Sequence, residues 1–253
     1  MRYFLSLSYF GKAYHGWQRQ PNALAVQEVV EHALSTLMRS PITIVGAGRT
    51  DTGVHAREIY AHFDTASPIP SDLLKRLNRF LPDDIAINSL FSVPDDAHAR
   101  FSAVSRTYEY YVISKKDPFY SDSAYLVERP LNVELMNKAA EIIMSYEDFE
   151  CFSKSNTDVH TFNCQISSAA WKEKGDLLIF KITADRFLRN MVRAIVGTLL
   201  DVGLDKLTTE DVKAIIKSKN RSEAGVSVPA KGLYLTRVEY PESILKNDGQ
   251  GDG

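Results

Sequence analysis

Between Gly46 and His55 the chain reads Gly-Ala-Gly-Arg-Thr-Asp-Thr-Gly-Val-His. Glycines this dense imply tight turns or a close approach of backbone to a ligand. The segment lacks Gly-Lys-Ser/Thr, and Asp51 stands where a dinucleotide loop keeps its third glycine, so a nucleotide-phosphate cradle is disfavoured. What remains is an acid, Asp51, near a cation, Arg49. A nearby guanidinium keeps a partly buried carboxylate ionised. An ionised, positioned carboxylate serves as nucleophile or general base. An Asx-turn, with Asp51 bonding its own loop, is the commoner use of such a residue, and the loop alone leaves both readings open.

Three other segments mix cations with aromatic or small residues. His98 to Tyr111 carries Arg100 and Arg106 beside Tyr108, Tyr110 and Tyr111. Such interleaving holds phosphates and stacks a base, although Tyr108 and Tyr110 also suit the core side of a strand. In Asp185 to Gly197, Arg186, Asn190, Arg193 and Gly197 fall on one helical stripe beside an apolar one. No acid stands four residues from Arg186 or Arg193, and Asp185 alone can serve Arg189. That positive face favours an anion, a phosphate or a carboxylate such as Asp51. The loop Phe10 to Gln20 sets Trp17 beside Lys12 and Arg19, which suits nucleic acid. Asp51, His55, His62 and Asp64 invite a metal reading, but no His-x-x-x-His or comparable ligand cluster occurs.

The elements that must position these residues follow from periodicity. Tyr3, Leu5, Leu7 and Tyr9 alternate with Arg2, Ser6 and Ser8, which predicts a strand over residues 2–9. A helix spans Val26 to Leu37 and stops at Ser40-Pro41. Strands follow at Pro41 to Val45 and Ile59 to Thr65, then a helix capped by Ser71 and ended by Pro82, then a strand from Ile85 to Val93. The order βαββαβ is the ferredoxin-like pattern. The second half repeats much of this order. Arg106 to Ile113 is a strand, Asn132 caps a helix, and residues 145–160 are a polar loop. A hairpin turns at Lys174-Gly175-Asp176, a long helix spans 186–202 and stops at Gly203, and Thr208-x-x-Asp211 opens a short helix. Leu233 to Tyr240 closes the half. The expected fold is α+β, with two ferredoxin-like halves forming a mixed, mostly antiparallel sheet, helices on one side and a basic active-site cleft between the halves. Expected boundaries are 1–101 for the half with the Asp51 loop, 102–240 for the half that completes the site, and 241–253 for a disordered, Gly-rich tail.

The 253 residues are 44% hydrophobic and 25% charged, which excludes disordered, collagenous and coiled-coil classes. No apolar run approaches the roughly 18 residues of a membrane span. Residues 1–9 lack a signal peptide's continuous apolar stretch, so the expected location is the cytoplasm, with the mature chain starting at Met1. Cys151 and Cys164 fit no disulfide framework or zinc motif. The net charge is −2, so a polyanion would need a local patch.

Taken together and in order, Tyr14-His-Gly-Trp-Gln-Arg-Gln20, Gly48-Arg-Thr-Asp-Thr-Gly-Val-His55, Val93-Pro-Asp-Asp-Ala-His-Ala-Arg-Phe-Ser102, Arg106-Thr-Tyr108, Phe187-Leu-Arg-Asn-Met-Val-Arg-Ala-Ile-Val-Gly197 and Lys231-Gly-Leu-Tyr-Leu235 resemble the tRNA pseudouridine synthase A family. The resemblance reaches from residue 1 to about 240 and shows no departure at the central motifs. It implies isomerisation of uridine to pseudouridine at positions 38, 39 and 40 of the tRNA anticodon stem-loop, by a homodimer without metal or cofactor. It makes Asp51 catalytic, stacks Tyr108 on the target base, pairs Arg193 with Asp51, and sets Arg49 near that acid. Lys12, Gln18, Arg19, Arg100, Arg106, Arg186 and Arg189 are the expected RNA contacts. A chemistry that moves a glycosidic bond within one molecule fits a single ionised carboxylate rather than a glycosidase pair, and a flipped base needs an aromatic face. The rivals are a non-catalytic RNA binder with RRM-like halves, which would lack a use for the Arg-Thr-Asp loop, and a metal-assisted hydrolase around Asp51.

Overall fold

The alternation at the N-terminus forms β1 (Arg2–Tyr9) in the computed structural model, which describes residues 1–154 and 159–245. Both faces of β1 are covered: Phe4, which interrupts the polar alternation, and Ser6 are buried on the face opposite Tyr3, Leu5 and Leu7. Phe4 meets the rings of Tyr60, Phe91 and Tyr240, so aromatic partners from distant segments close that face.

Helix α1 (Val26–Met38) turns Val26, Val30, Ala33 and Leu34 inward and ends on Arg39, whose backbone is left-handed. The strand expected over Pro41 to Val45 shrinks to β2 (Val45–Gly46). Helix side chains replace the ladder there. The Ile42 N–H donates to Ser35 Oγ and the Ile44 N–H to Glu31 Oε1, each at 2.9 Å. β3 (His55–Asp64) begins earlier than expected, at His55. α2 (Leu73–Phe80) starts after Asp72 rather than Ser71 and has no side-chain cap bond. β4 (Ile85–Val93) has the expected bounds. The strand order β4-β1-β3-β2 is antiparallel throughout, as in a ferredoxin-like unit.

The second half opens with β5 (Ser105–Ile113), to which the short β6 (Tyr125–Leu126) runs parallel. Asn132 caps α3 (Val133–Met144), its side chain accepting from the Leu135 N–H at 3.1 Å. β7 (Ile166–Lys174) and β8 (Leu177–Ala184) form an antiparallel hairpin turning at Gly175, whose φ is +59°. Helices α4 (Met191–Gly203) and α5 (Thr209–Ser218) follow, and both bonds of the Thr208–Asp211 capping box are present. β9 (Leu233–Glu239) completes the order β9-β5-β8-β7, the same permutation as in the first half. The fold is thus a mixed α+β architecture with a nine-stranded, mostly antiparallel sheet and, among the described residues, six α-helices. None of these helices is long and apolar enough to cross a membrane.

Three expectations change. The loop at 145–160 is not wholly polar: Phe149, Cys151 and Phe152 are buried around a 3-10 turn at Glu150–Phe152, while residues 155–158 lie outside the described residues. The tail begins with a short helix, α6 (Glu242–Leu245), anchored by the buried Ile244; residues 246–253 lie outside the described residues. The described residues form two compact units, Met1–Ser105 with Leu235 to Leu245, and Arg106–Tyr234. The last part of β9 therefore belongs with the first unit and not with 102–240. The Val238 N–H donates to Glu58 Oε1 at 3.0 Å, the Val104 N–H donates to the Glu239 carbonyl at 2.8 Å, and the Tyr240 hydroxyl donates to the Ala99 carbonyl.

Candidate active site

In the first unit the Asp51 loop is moulded against the segment Gly11 to Trp17. Gly16 has φ +86°, and a Cβ there would stand 2.3 Å from the Thr50 carbonyl oxygen. That carbonyl accepts the Trp17 N–H at 3.3 Å, and the Thr50 hydroxyl bonds the Tyr9 hydroxyl at 2.8 Å. Trp17 is 1% exposed and lies on the backbone at Gly46, where a Cβ would come within 2.4 Å of its indole nitrogen. Only glycine leaves room at these two positions. Beyond Thr50 the chain turns: the Val54 N–H donates to the Asp51 carbonyl at 3.1 Å and the Gly53 N–H to the Tyr14 carbonyl at 3.2 Å. Asp51 itself is partly exposed at the head of this turn, and Thr52 is exposed. The main chain under Asp51 is therefore held by backbone bonds.

Trp17 does not serve as an exposed stacking surface for nucleic acid, because it is buried under this loop. The exposed cations nearby are ordered by amides. Arg49 Nε donates to Gln18 Oε1 at 3.2 Å, Gln18 Nε2 donates to Gln27 Oε1 at 2.9 Å, and the Arg19 N–H donates to the same oxygen at 3.0 Å. Gln27 Nε2 in turn donates to Glu31 Oε1 and the Ile44 carbonyl. Gln27 was not anticipated as a site residue. Its only sequence signal is a polar side chain in the first turn of α1. Lys12 is exposed on the 3-10 turn Gly11–Ala13, which packs on the Val54 carbonyl. Lys12, Gln18, Arg19 and Arg49 thus share the loop cluster around Asp51. Arg100 is on the turn after β4.

Two histidines of this unit, His55 and His62, are buried hydrogen-bond acceptors. His55 is buried, stacks on Phe10 at 4.1 Å, and accepts the Gly11 N–H at Nδ1. His62 Nδ1 accepts the Ala99 N–H at 3.1 Å. Asp64 grips Arg2 through two bonds of 2.8 Å. Among the described residues no group of three or more His, Cys, Asp or Glu is arranged to hold a metal ion. Burial pushes the His62 pKa down to about 4, with the charges of Arg2 and His98 adding to it and Asp64 opposing. Unfolded His62 would titrate near 6.5. Between those values the unfolded chain binds the extra proton, so this stabilisation is complete above pH 6.5 and is lost as pH falls toward 4. Urea unfolding at pH 7 and pH 5 should differ by about 2 kcal/mol from this group, and His62→Gln should remove that part of the difference. An unchanged pH dependence in the variant would contradict the assignment.

In the second unit Tyr108 sits on β5, partly exposed, its ring perpendicular to that of Phe187 with the centroids 5.1 Å apart. Tyr110, on the same strand face, is fully buried and donates to the Pro229 carbonyl at 2.8 Å. Arg193 Nε donates to the adjacent Val228 carbonyl at 2.7 Å. The segment 228–229 therefore brings Arg193 and Tyr110 together, with Tyr108 two residues along the strand. Both cysteines are buried thiols whose pKa burial raises to about 12, so neither offers a nucleophile.

The arginine stripe is not continuous. The helix expected from residue 186 starts at Met191, because Asn190 takes a left-handed conformation with φ +66°. Arg186 and Arg189 precede it in a loop. Asp185 Oδ1 accepts the Gln165 and Arg186 N–H groups at 2.7 Å each. Arg106 Nη1 donates to the Asp185 carbonyl at 2.8 Å. The helical part of the stripe is covered by residues 221–228. A Cβ on Gly197 would stand 2.0 Å from the Val226 carbonyl oxygen, and Asn190 Nδ2 donates to Ser227 Oγ, which also accepts from Arg221. Arg221 and Ser227 were not anticipated. Gly197 within a helix was the one sequence sign of a close neighbour.

A family model described as tRNA pseudouridine synthase matches residues 6–102 and 145–241. The chain is 52% identical over 247 residues to tRNA pseudouridine synthase A of Parabacteroides distasonis, covering 96% of this chain and 98% of that one. It is 52% identical over 249 residues to tRNA pseudouridine synthase A of Porphyromonas gingivalis, with 96% and 99% covered. Against tRNA pseudouridine synthase A of Bacillus subtilis the identity is 41% over 245 residues, with 95% and 99% covered. The first matched segment contains the Asp51 loop and the second contains Arg193, while Arg106 and Tyr108 fall in the interval between them.

Proposed function

Because the chain belongs to the tRNA pseudouridine synthase family, and so is an isomerase of tRNA uridine, we propose that it acts at positions 38, 39 and 40 of the anticodon stem-loop with Asp51 as its nucleophile. The observation that carries the role of Asp51 is its position at the head of a turn held by backbone bonds from Val54 and Gly53. A carboxylate on such a support is pre-organised, which is what a nucleophile needs.

The reaction is balanced within one nucleotide. The bond from ribose C1′ to N1 breaks, the uracil turns, and a bond from C1′ to C5 forms. The C5 proton leaves and N1 gains one. Asp51 acts by attack on C1′, by assisting a glycal intermediate, or by addition to the base; each begins from the ionised carboxylate. No water is consumed. The base must leave its stack, and Tyr108 supplies the face that holds it. From the motif resemblance we infer that Arg193 is the partner of this carboxylate and Arg49 its neighbour in the loop. Lys12, Gln18, Arg19, Arg100, Arg106, Arg186 and Arg189 contact RNA, which reconciles polyanion binding with a net charge of −2. The enzyme works as a homodimer in the cytoplasm.

Purified protein incubated without added metal or nucleotide should form pseudouridine in transcripts carrying uridine at 38, 39 or 40, mapped by position. Tight tRNA binding without product would instead favour a non-catalytic RNA binder. Tyr108→Phe should keep activity within about threefold, whereas Tyr108→Ala should lose about tenfold or more, the scale of one base–aromatic stack. Equal activities of the two variants would remove the stacking role.

A further inference from the structure

The turn between β4 and β5 shows a disproportion between how firmly it is held and what it buries. Its base is anchored by three hydrogen bonds at Ala97 and Ala99. The Ala97 carbonyl accepts Arg2 Nη1 at 2.9 Å, the Ala99 N–H donates to His62 Nδ1 at 3.1 Å, and the Ala99 carbonyl accepts the Tyr240 hydroxyl. His98 closes the turn: its N–H donates to Ser102 Oγ at 3.0 Å while its carbonyl accepts the Ser102 N–H at 2.9 Å. His98 Nδ1 accepts both the Arg100 and Phe101 N–H groups, at 3.1 and 3.3 Å. The His98 ring is in turn wedged between His62 at 4.6 Å and the Phe101 ring at 4.4 Å. Yet Phe101 at the tip is 75% exposed, with the Arg100 guanidinium carbon 5.5 Å from its ring centroid. An aromatic ring fixed in solvent beside a cation contributes little to the core. It is suited to a flat, electron-rich ring attached to a phosphate.

We propose that Phe101 and Arg100 form a stacking platform for an unpaired base of the tRNA substrate, and that His98 and His62 are positioning residues that hold the platform out. This rests on the tRNA reading above and adds a second base contact to it, separate from Tyr108. The cation beside the ring favours nucleic acid over an apolar protein surface as the occupant.

The test compares tRNA affinity, single-turnover pseudouridine formation at saturating tRNA, and melting temperature for full-length variants at one salt concentration. Phe101→Ala and Phe101→Leu should each weaken tRNA binding about tenfold, while Phe101→Trp stays within about twofold of the wild type. The saturated rate and melting temperature should not change. His98→Ala should weaken binding to a similar extent, His98→Asn should recover much of it, and the double variant with Phe101→Ala should be no weaker than Phe101→Ala alone. Leucine binding as well as phenylalanine would overturn the stacking platform. So would an altered oligomeric state of Phe101→Ala at unchanged tRNA affinity, which would assign the ring to a contact with a second copy. If the wild type neither binds nor modifies tRNA, both readings fall. If the wild type does both and Phe101→Ala matches it, only this one falls.

Discussion

Asp51→Asn should bind tRNA as the wild type does and release essentially no tritium from tRNA labelled at uridine C5. The substitution keeps shape and removes charge. The turn beneath it is closed by main-chain atoms, the Val54 N–H to the residue 51 carbonyl and the Gly53 N–H to Tyr14, so an amide side chain does not alter these bonds. The Trp17 and Tyr9 contacts fall on Thr50 and also persist. What disappears is the nucleophile, and loss of such a group lowers a rate by at least about a thousandfold. Single-turnover release with enzyme in excess reads the chemistry, and filter binding on the same preparation reads the complex. Release within about tenfold of the wild type would end the nucleophile assignment. Unfolding of the variant would show instead that the carboxylate holds the loop.

The second large effect concerns a residue whose sequence setting pointed elsewhere. Trp17→Ala should lower unfolding stability by about 3–5 kcal/mol, as truncation of a fully buried tryptophan does. The indole lies against the backbone at Gly46 and near the Tyr9 ring, and the Trp17 main chain bonds both Thr50 and Gln27. The cavity would open beneath the loop that carries Asp51, so activity should fall further than the folded fraction alone accounts for. Trp17→Phe should cost roughly half as much, because most of the apolar volume remains. Chemical denaturation gives the stability and single-turnover assays below the transition give the activity. A variant that unfolds like the wild type but loses tRNA affinity would return Trp17 to the surface role its cationic neighbours imply.

Much of this protein was legible from residue spacing. β1 and β4 show in the alternation of their own residues, and the β7–β8 turn, the Asn132 cap and the Thr208–Asp211 capping box rest on interactions within a few residues. Periodicity and capping chemistry record such local energies directly. The Asp51 loop stood out for a similar reason: closely spaced glycines beside an acid and a cation mark a backbone under unusual constraint, and the resemblance in its motifs supplied the chemistry. The misplaced features share the opposite property. The start of α4 depends on Asn190, whose side chain reaches Ser227; the loss of the strand over residues 41–44 depends on Glu31 and Ser35; and the burial of Trp17 depends on Gly46. Each is decided by a partner brought near only when the chain folds. An arginine stripe, a polar loop or a tryptophan among cations reads as surface until that partner is known, because spacing encodes which face a residue shares and not what comes to cover it. The sequence by itself therefore determined most of the elements, their order and the chemistry of the Asp51 loop, whereas the tertiary structure decided which polar and aromatic side chains remain in contact with solvent.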